Sequence, residues 1–147
     1  LSPRKKRAPR NTSPEMHALA DAWFERRFGV KYRSQALFVT SSSFAARGYA
    51  ETERHVVRVI PLGPYRYCWS PQVRDMLSMS LDKAGNVEST LDAAGYIESN
   101  LHLAHELGHE VMLYCDKYIA VPTYMLDESE ATEREGHQPS SGIIICI

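Results

Sequence analysis

A chain of 147 residues, 44% hydrophobic and 24% charged, has the size and balance of one soluble globular domain and is too short for two comfortable ones. A formal net charge of −1 removes any global attraction to nucleic acid, and no apolar run is long enough to span a bilayer. Three cysteines, Cys68, Cys115 and Cys146, lack metal-ligand spacing and read as buried free thiols in a reducing compartment.

The chain opens on Leu1, as expected of a piece excised from a longer protein. Residues 1–12, with Arg4 to Arg7 and Arg10, have the composition of a disordered basic linker, and 13–147 read as a single domain. Ser13-Pro14-Glu15 is a helix start, Ser as cap and Pro at the first helical position. Met16, Leu19, Ala20, Trp23, Phe24 and Phe28 share one helical face, read as core, and Gly29 closes the helix. Val30 to Arg33 enters the sheet, and Ala36 to Thr40 is a strand. Ser41 to Ser43 caps a short helix, Phe44 to Tyr49.

Val56 to Ile60 and Tyr65 to Trp69 read as two strands broken by Pro61 to Pro64, and Ser70-Pro71 opens a helix through Val73, Met76 and Leu77. A helical region from about Val87 to Leu107 is interrupted near Gly95. Glu110 to Cys115 and Tyr118 to Val121 are strands around a turn at Asp116-Lys117. The tail from Thr123 is acidic (Asp127 to Glu135), then Pro/Ser/Gly-rich, and ends in Ile143 to Ile147, an edge strand or the start of a continuation. About six short strands mixed with helices predict an α+β fold.

The chemistry centres on His105-Glu106-Leu107-Gly108-His109-Glu110. As H-E-x-x-H on a helix, His105 and His109 would present two imidazoles to a zinc ion with Glu106 as general base. That needs the helix to continue past Gly108, a helix stop, and a third ligand, for which Glu128, Glu130 and His137 are the candidates. Read instead as a strand start, the stretch makes Glu110 the reactive carboxylate. A binding module without turnover is the third class.

Tyr32-Arg33, Ala36 to Thr40, Ala45-Ala46, Tyr49, Val59 to Pro61, Tyr67 to Pro71, Asp75, then Glu110 to Met112, Cys115 and Tyr118 to Ala120 together resemble the bacterial and phage mono-ADP-ribosyltransferase toxins and effectors of Arg–Ser/Thr–Glu type. The resemblance covers about residues 30–121 and rests on the order of the set. It implies a compact split β-sheet that binds NAD as substrate, without a metal, and passes ADP-ribose to a macromolecule. The implied protein acts as a monomer off the membrane, as a secreted effector in the cytosol of a target cell.

Within that resemblance the catalytic residues are Glu110, Arg33 and Thr40. Breaking the nicotinamide–ribose bond develops positive charge on the ribose, which a carboxylate at Glu110 stabilises. Arg33 would hold the diphosphate, and Thr40 or Ser41 would brace the Glu or the ribose. Phe38, Phe44 or Tyr49 would supply an aromatic face to nicotinamide, with Trp69 a further candidate. The family's Glu-x-Glu is missing, because Gly108 stands two before Glu110, and so is its Ser-Thr-Ser, for which Thr40-Ser41-Ser42 is the nearest. The first departure turns the expectation from an arginine acceptor toward a hydroxyl, such as a threonine of host ubiquitin.

Overall fold

A computed structural model describes residues 1–3, 12–52, 55–83, 85–123 and 143–146, the side chains of Asp82 and 143–146 excepted. Helix α1, Pro14–Phe28, starts where the Ser13 hydroxyl takes the Met16 N–H and stops at Gly29, whose φ of 74° is left-handed. Ala20, Trp23 and Phe24 of its expected stripe are buried, while Leu19 is exposed. The chain does not enter the sheet at Val30. Tyr32–Gln35 is one helical turn, α2, because the Tyr32 ring is buried with its hydroxyl on Glu98, and the Ser34 N–H goes to the Asp21 carboxylate.

Strand β1, Leu37–Thr40, leads through the Ser42 cap into α3, Ser43–Tyr49. Strand β2, Val56–Trp69, absorbs both strands expected there, and β3, Val111–Pro122, likewise runs through Asp116-Lys117. The two pair antiparallel from Trp69 opposite Val111 to Val57 opposite Pro122. Between them Leu62 faces Lys117 and Tyr65 faces Cys115, so Gly63 and Pro64 stand against Asp116 alone. The Pro/Gly stretch therefore makes a bulge, with Gly63 at φ 81°, and not a break: the missing Pro64 donor falls where the ladder is already interrupted.

β1 pairs with the start of β3, Val39 opposite Val111. β4, Ile143–Cys146, pairs with both β1 and β2, so the terminal strand closes a ring in the order β1-β3-β2-β4. Its predicted place at an edge is corrected by that second pairing. The edge of β3 beyond β1 is not bare either: Leu1 exchanges two backbone hydrogen bonds with Tyr118. The leader expected to be disordered is thus held at Leu1, and residues 4–11 of it lie outside the described residues. So does the acidic and Pro/Ser/Gly-rich tail, 124–142.

The helix expected after Ser70 is absent. The Ser70 hydroxyl accepts the N–H groups of Gln72 and Val73 and donates to the Ala94 carbonyl. Those contacts would suit a helix start, but the Met76 N–H that a ladder would use goes to the Glu110 carboxylate, and the segment reaches only two 3₁₀ turns, Leu77–Met79 and Leu81–Lys83. Helices α4, Val87–Ala94, and α5, Leu101–Leu107, follow, divided as predicted near Gly95.

β3 is apolar at successive positions because both its faces are covered. Met112 packs under α1, α2 and α4 with Trp23, Phe24, Tyr32, Leu91 and Tyr96. Val111, Leu113 and Cys115 face the other way, with Val39, Val59, Trp69, Ala104 and Tyr118. Trp69 is fully buried, exchanges both backbone bonds with Ile97 and donates its indole N–H to the Ser99 carbonyl. The molecule is thus mixed helix and antiparallel strand. Among the described residues no helix is long and apolar enough to cross a membrane.

Trp69→Ala should cost about 3–5 kcal/mol, the usual range for emptying a buried aromatic site, read from the urea midpoint. A second expectation concerns alkaline pH. Cys68 and Cys115 are buried free thiols, and burial first of all raises the pKa of each. The folded thiol keeps its proton where the unfolded one, near 8.5, has lost it, so stability is whole below about pH 8 and falls as pH rises beyond. Unfolding followed from pH 8 to pH 10 should show a decline that Cys68→Ala makes shallower.

Candidate functional site

The site is built where β2 ends and β3 begins. Because Trp69 lies opposite Val111, the segment leaving β2 passes directly beside Glu110. Glu110 binds it twice: its N–H donates to the Arg74 carbonyl at 2.7 Å, and its carboxylate oxygen Oε1 accepts the Met76 N–H at 3.0 Å. Arg33 comes to the same residue from α2, with Nη1 2.9 Å from the Met76 sulfur and Nη2 3.2 Å from the Thr12 hydroxyl. Both Arg33 and Glu110 are half-buried.

Tyr96 sits in the helix-side core next to this pair. Burial raises its pKa well above the ordinary phenol value, the carboxylates of Glu110 and Asp75 push the same way, and the Arg33 guanidinium opposes them. Asp75 itself accepts the Ser78 N–H at 2.7 Å, fixing the turn that follows Met76. The arrangement sets one cation and two carboxylates around a phenol that stays protonated at neutral pH. Chemically, it offers a charge-assisted grip on an anionic group and a positioned carboxylate for a developing cation.

A separate cleft of about 270 Å³ opens on the other side of β3. α5 ends at Leu107, as the sequence predicts, because Gly108 turns left-handed at φ 66°. The turn is pinned from β1: the Thr40 hydroxyl donates to the Gly108 carbonyl at 3.0 Å, and the Ser41 hydroxyl to the His105 carbonyl at 2.5 Å. His109 then faces the cleft. Its Nδ1 lies 2.9 Å from the Ser70 carbonyl, and its ring is edge-on to Trp69. Thr40, Ser41, His102, His105 and His109 line this cleft.

The sequence-predicted site residues therefore fall into two places. Arg33 and Glu110 meet at Met76, whereas Thr40 and Ser41 line the cleft on the far face, with the Thr40 hydroxyl on the Gly108 carbonyl. Phe38 packs against the helix-side core. Phe44, 87% exposed, and Tyr49, half exposed, lie on α3 and do not line the cleft. The split has a simple cause: alternation at the start of β3 sends Glu110 to one face of the sheet and His109 and Val111 to the other.

The zinc reading loses its helix. His109 lies past the left-handed Gly108 and is turned to the Ser70 carbonyl, off the helical face of His105. Among the described residues no three His, Cys, Asp or Glu side chains are grouped to hold an ion. Glu106 pairs with His102 at 3.1 Å, and the third-ligand candidates Glu128, Glu130 and His137 lie outside the described residues.

Sequence reasoning missed Tyr96 and Met76, which complete the Arg33–Glu110 cluster. Neither carries a local signal, since an apolar residue after a turn reads as core wherever it occurs. No family model, curated protein or solved structure matches this chain.

Gly108→Ala tests the pinned turn. A Cβ there would meet Ser42 Cβ at 3.3 Å on top of the left-handed φ, so a loss of about 1–2 kcal/mol is expected, measured by urea unfolding.

Proposed function

We propose that this chain is an NAD-dependent mono-ADP-ribosyltransferase of the bacterial toxin or effector kind, transferring ADP-ribose to a macromolecular hydroxyl with release of nicotinamide. The observation that supports the reading is the meeting of Arg33 and Glu110, remote in sequence, at one residue beside the buried Tyr96. On this reading the antiparallel sheet with two covered faces is a small form of the split sheet that binds NAD. The Arg33 guanidinium holds the diphosphate by charge-assisted hydrogen bonds.

The bond between ribose C1′ and the nicotinamide nitrogen then breaks, its electron pair leaving with nicotinamide. The Glu110 carboxylate lies against the positive charge left on the ribose, and the Met76 N–H sets its direction. The acceptor oxygen forms the new bond to C1′ and gives up its proton to the carboxylate or to water. Thr40 acts at one remove, bracing the Gly108 turn from which Glu110 projects. A serine or threonine acceptor, with threonine of host ubiquitin as one candidate, suits a site without a second glutamate two residues upstream. Action in the cytosol of a target cell after secretion belongs to the same proposal.

Nicotinamide release from NAD, measured with a cell lysate supplying acceptors, tests the reading. Glu110→Gln keeps the shape of the side chain and an oxygen for Met76, and should lower release by about 100-fold or more through loss of charge. Arg33→Ala should raise the NAD requirement about tenfold, a loss of about 1.4 kcal/mol of charge-assisted binding. His105→Gln should change neither. Wild-type release from the Glu110→Gln protein would end the assignment.

A further inference from the structure

The histidine-lined cleft is not used by the transferase reading, whose charged pair lies on the other face of β3. Its chemistry is distinctive. His102, His105 and His109 open into one space from a single short helix and the turn after it. Across from them stand Ile60, Pro61 and Tyr65 of β2. Among the described residues the lining contains no carboxylate, lysine or arginine, and its nitrogen side chains are three imidazoles.

The orientation of His109 is settled by its partner. A backbone carbonyl only accepts, so Nδ1 must carry the hydrogen that faces Ser70, and Nε2 is the nitrogen left for a ligand. That bond survives protonation, which turns Nε2 from an acceptor into a donor. The Thr40 and Ser41 hydroxyls have spent their protons on the carbonyls of Gly108 and His105. The side-chain donors left on the described lining are therefore the Tyr65 hydroxyl and the imidazoles. Among the described residues the carboxylate in contact with one of them is Glu106, paired with His102 outside the lining. An imidazole donates from both ring nitrogens only when protonated, and an anionic ligand favours that form.

We infer that this cleft binds a small phosphate monoester, the phosphate held by the imidazoles and an apolar or aromatic body laid against Ile60, Pro61 and Tyr65. A volume of about 270 Å³, just under the usual range of ligand sites, suits one nucleoside-sized body and not a dinucleotide. The inference is independent of the transferase reading.

Titration calorimetry with AMP, adenosine and inorganic phosphate at pH 6 and pH 8 tests it. AMP should bind at pH 6 at least tenfold tighter than adenosine or inorganic phosphate, and at least tenfold more weakly at pH 8. The sign is diagnostic, because the phosphate gains negative charge over this range, its second pKa being about 6, so weaker binding at high pH must come from the protein. The doubly substituted His102→Gln, His105→Gln protein should lose most of the affinity at pH 6. Both side chains are exposed, so its urea midpoint should match the wild type. Arg33→Ala should leave AMP binding unchanged, which separates this cleft from the proposed NAD contact. Absence of AMP binding, affinity equal at both pH values, affinity retained in the double variant, or affinity lost with Arg33→Ala would each overturn the inference.

Discussion

The antiparallel ladder between β2 and β3 is the constraint on which the rest depends. Its end pair, Trp69 opposite Val111, decides that residues 70–76 pass beside 109 and 110. Once that register is set, Glu110 meets Arg74 and Met76, and His109 meets the Ser70 carbonyl, without further choice. A slip of one residue would exchange the two faces, turning Glu110 into the cleft and the imidazole of His109 into the helix-side core. Trp69 guards against it. It is fully buried, bonded through its backbone to Ile97, and anchored by its indole N–H to Ser99, so it cannot move along the ladder without breaking contacts on three sides.

The two faces carry different chemistry because their surroundings differ. On the helix side, α1, α2 and α4 bring a packed aromatic wall, in which Trp23, Phe24, Phe28, Tyr32 and Tyr96 meet mostly edge to face. Burial and the carboxylates of Glu110 and Asp75 at its margin keep the Tyr96 phenol neutral, against the opposing pull of Arg33. On the far side, α5 is short and its polar residues remain exposed, so the imidazoles there stand in water-accessible space. Solvent screens the second group far more than the first. The arginine–carboxylate cluster and the histidine-lined cleft therefore sit back to back across one strand.

Local signals carried well where one residue type settles the backbone. Ser13 and Gly29 bound α1, Gly95 ends α4, and Gly108 stops α5, each through a cap that the residue itself supplies. They failed where a distant partner decides. Pro61 to Pro64 look like a break until β3 runs alongside and turns them into a bulge. Ser70-Pro71 look like a helix cap, but the same hydroxyl closes a tight turn and bonds Ala94, and Glu110, 34 residues beyond Met76, takes the amide a helix would need. The candidate site was legible to the same extent. Arg33 and Glu110 stood out as residue types, and their meeting did not, because Met76 brings them together only after the ladder has formed.

The bond from the Met76 N–H to Glu110 has a consequence for what that carboxylate can do. A glutamate on a surface samples several rotamers, and ordering it costs free energy each time it acts. Here one oxygen is held from below by a backbone amide, and the residue's own N–H is held by Arg74, so side chain and main chain are both directed before any ligand arrives. A carboxylate has a second oxygen, and fixing the first fixes the direction of the second. The same geometry makes chain length at this position decisive, since an aspartate would withdraw the carboxylate from Met76 and lose direction along with reach. Preorganisation of this kind places a charge where a cation develops without reorganisation at the moment of reaction, and it is supplied by the loop that the β2–β3 register delivers.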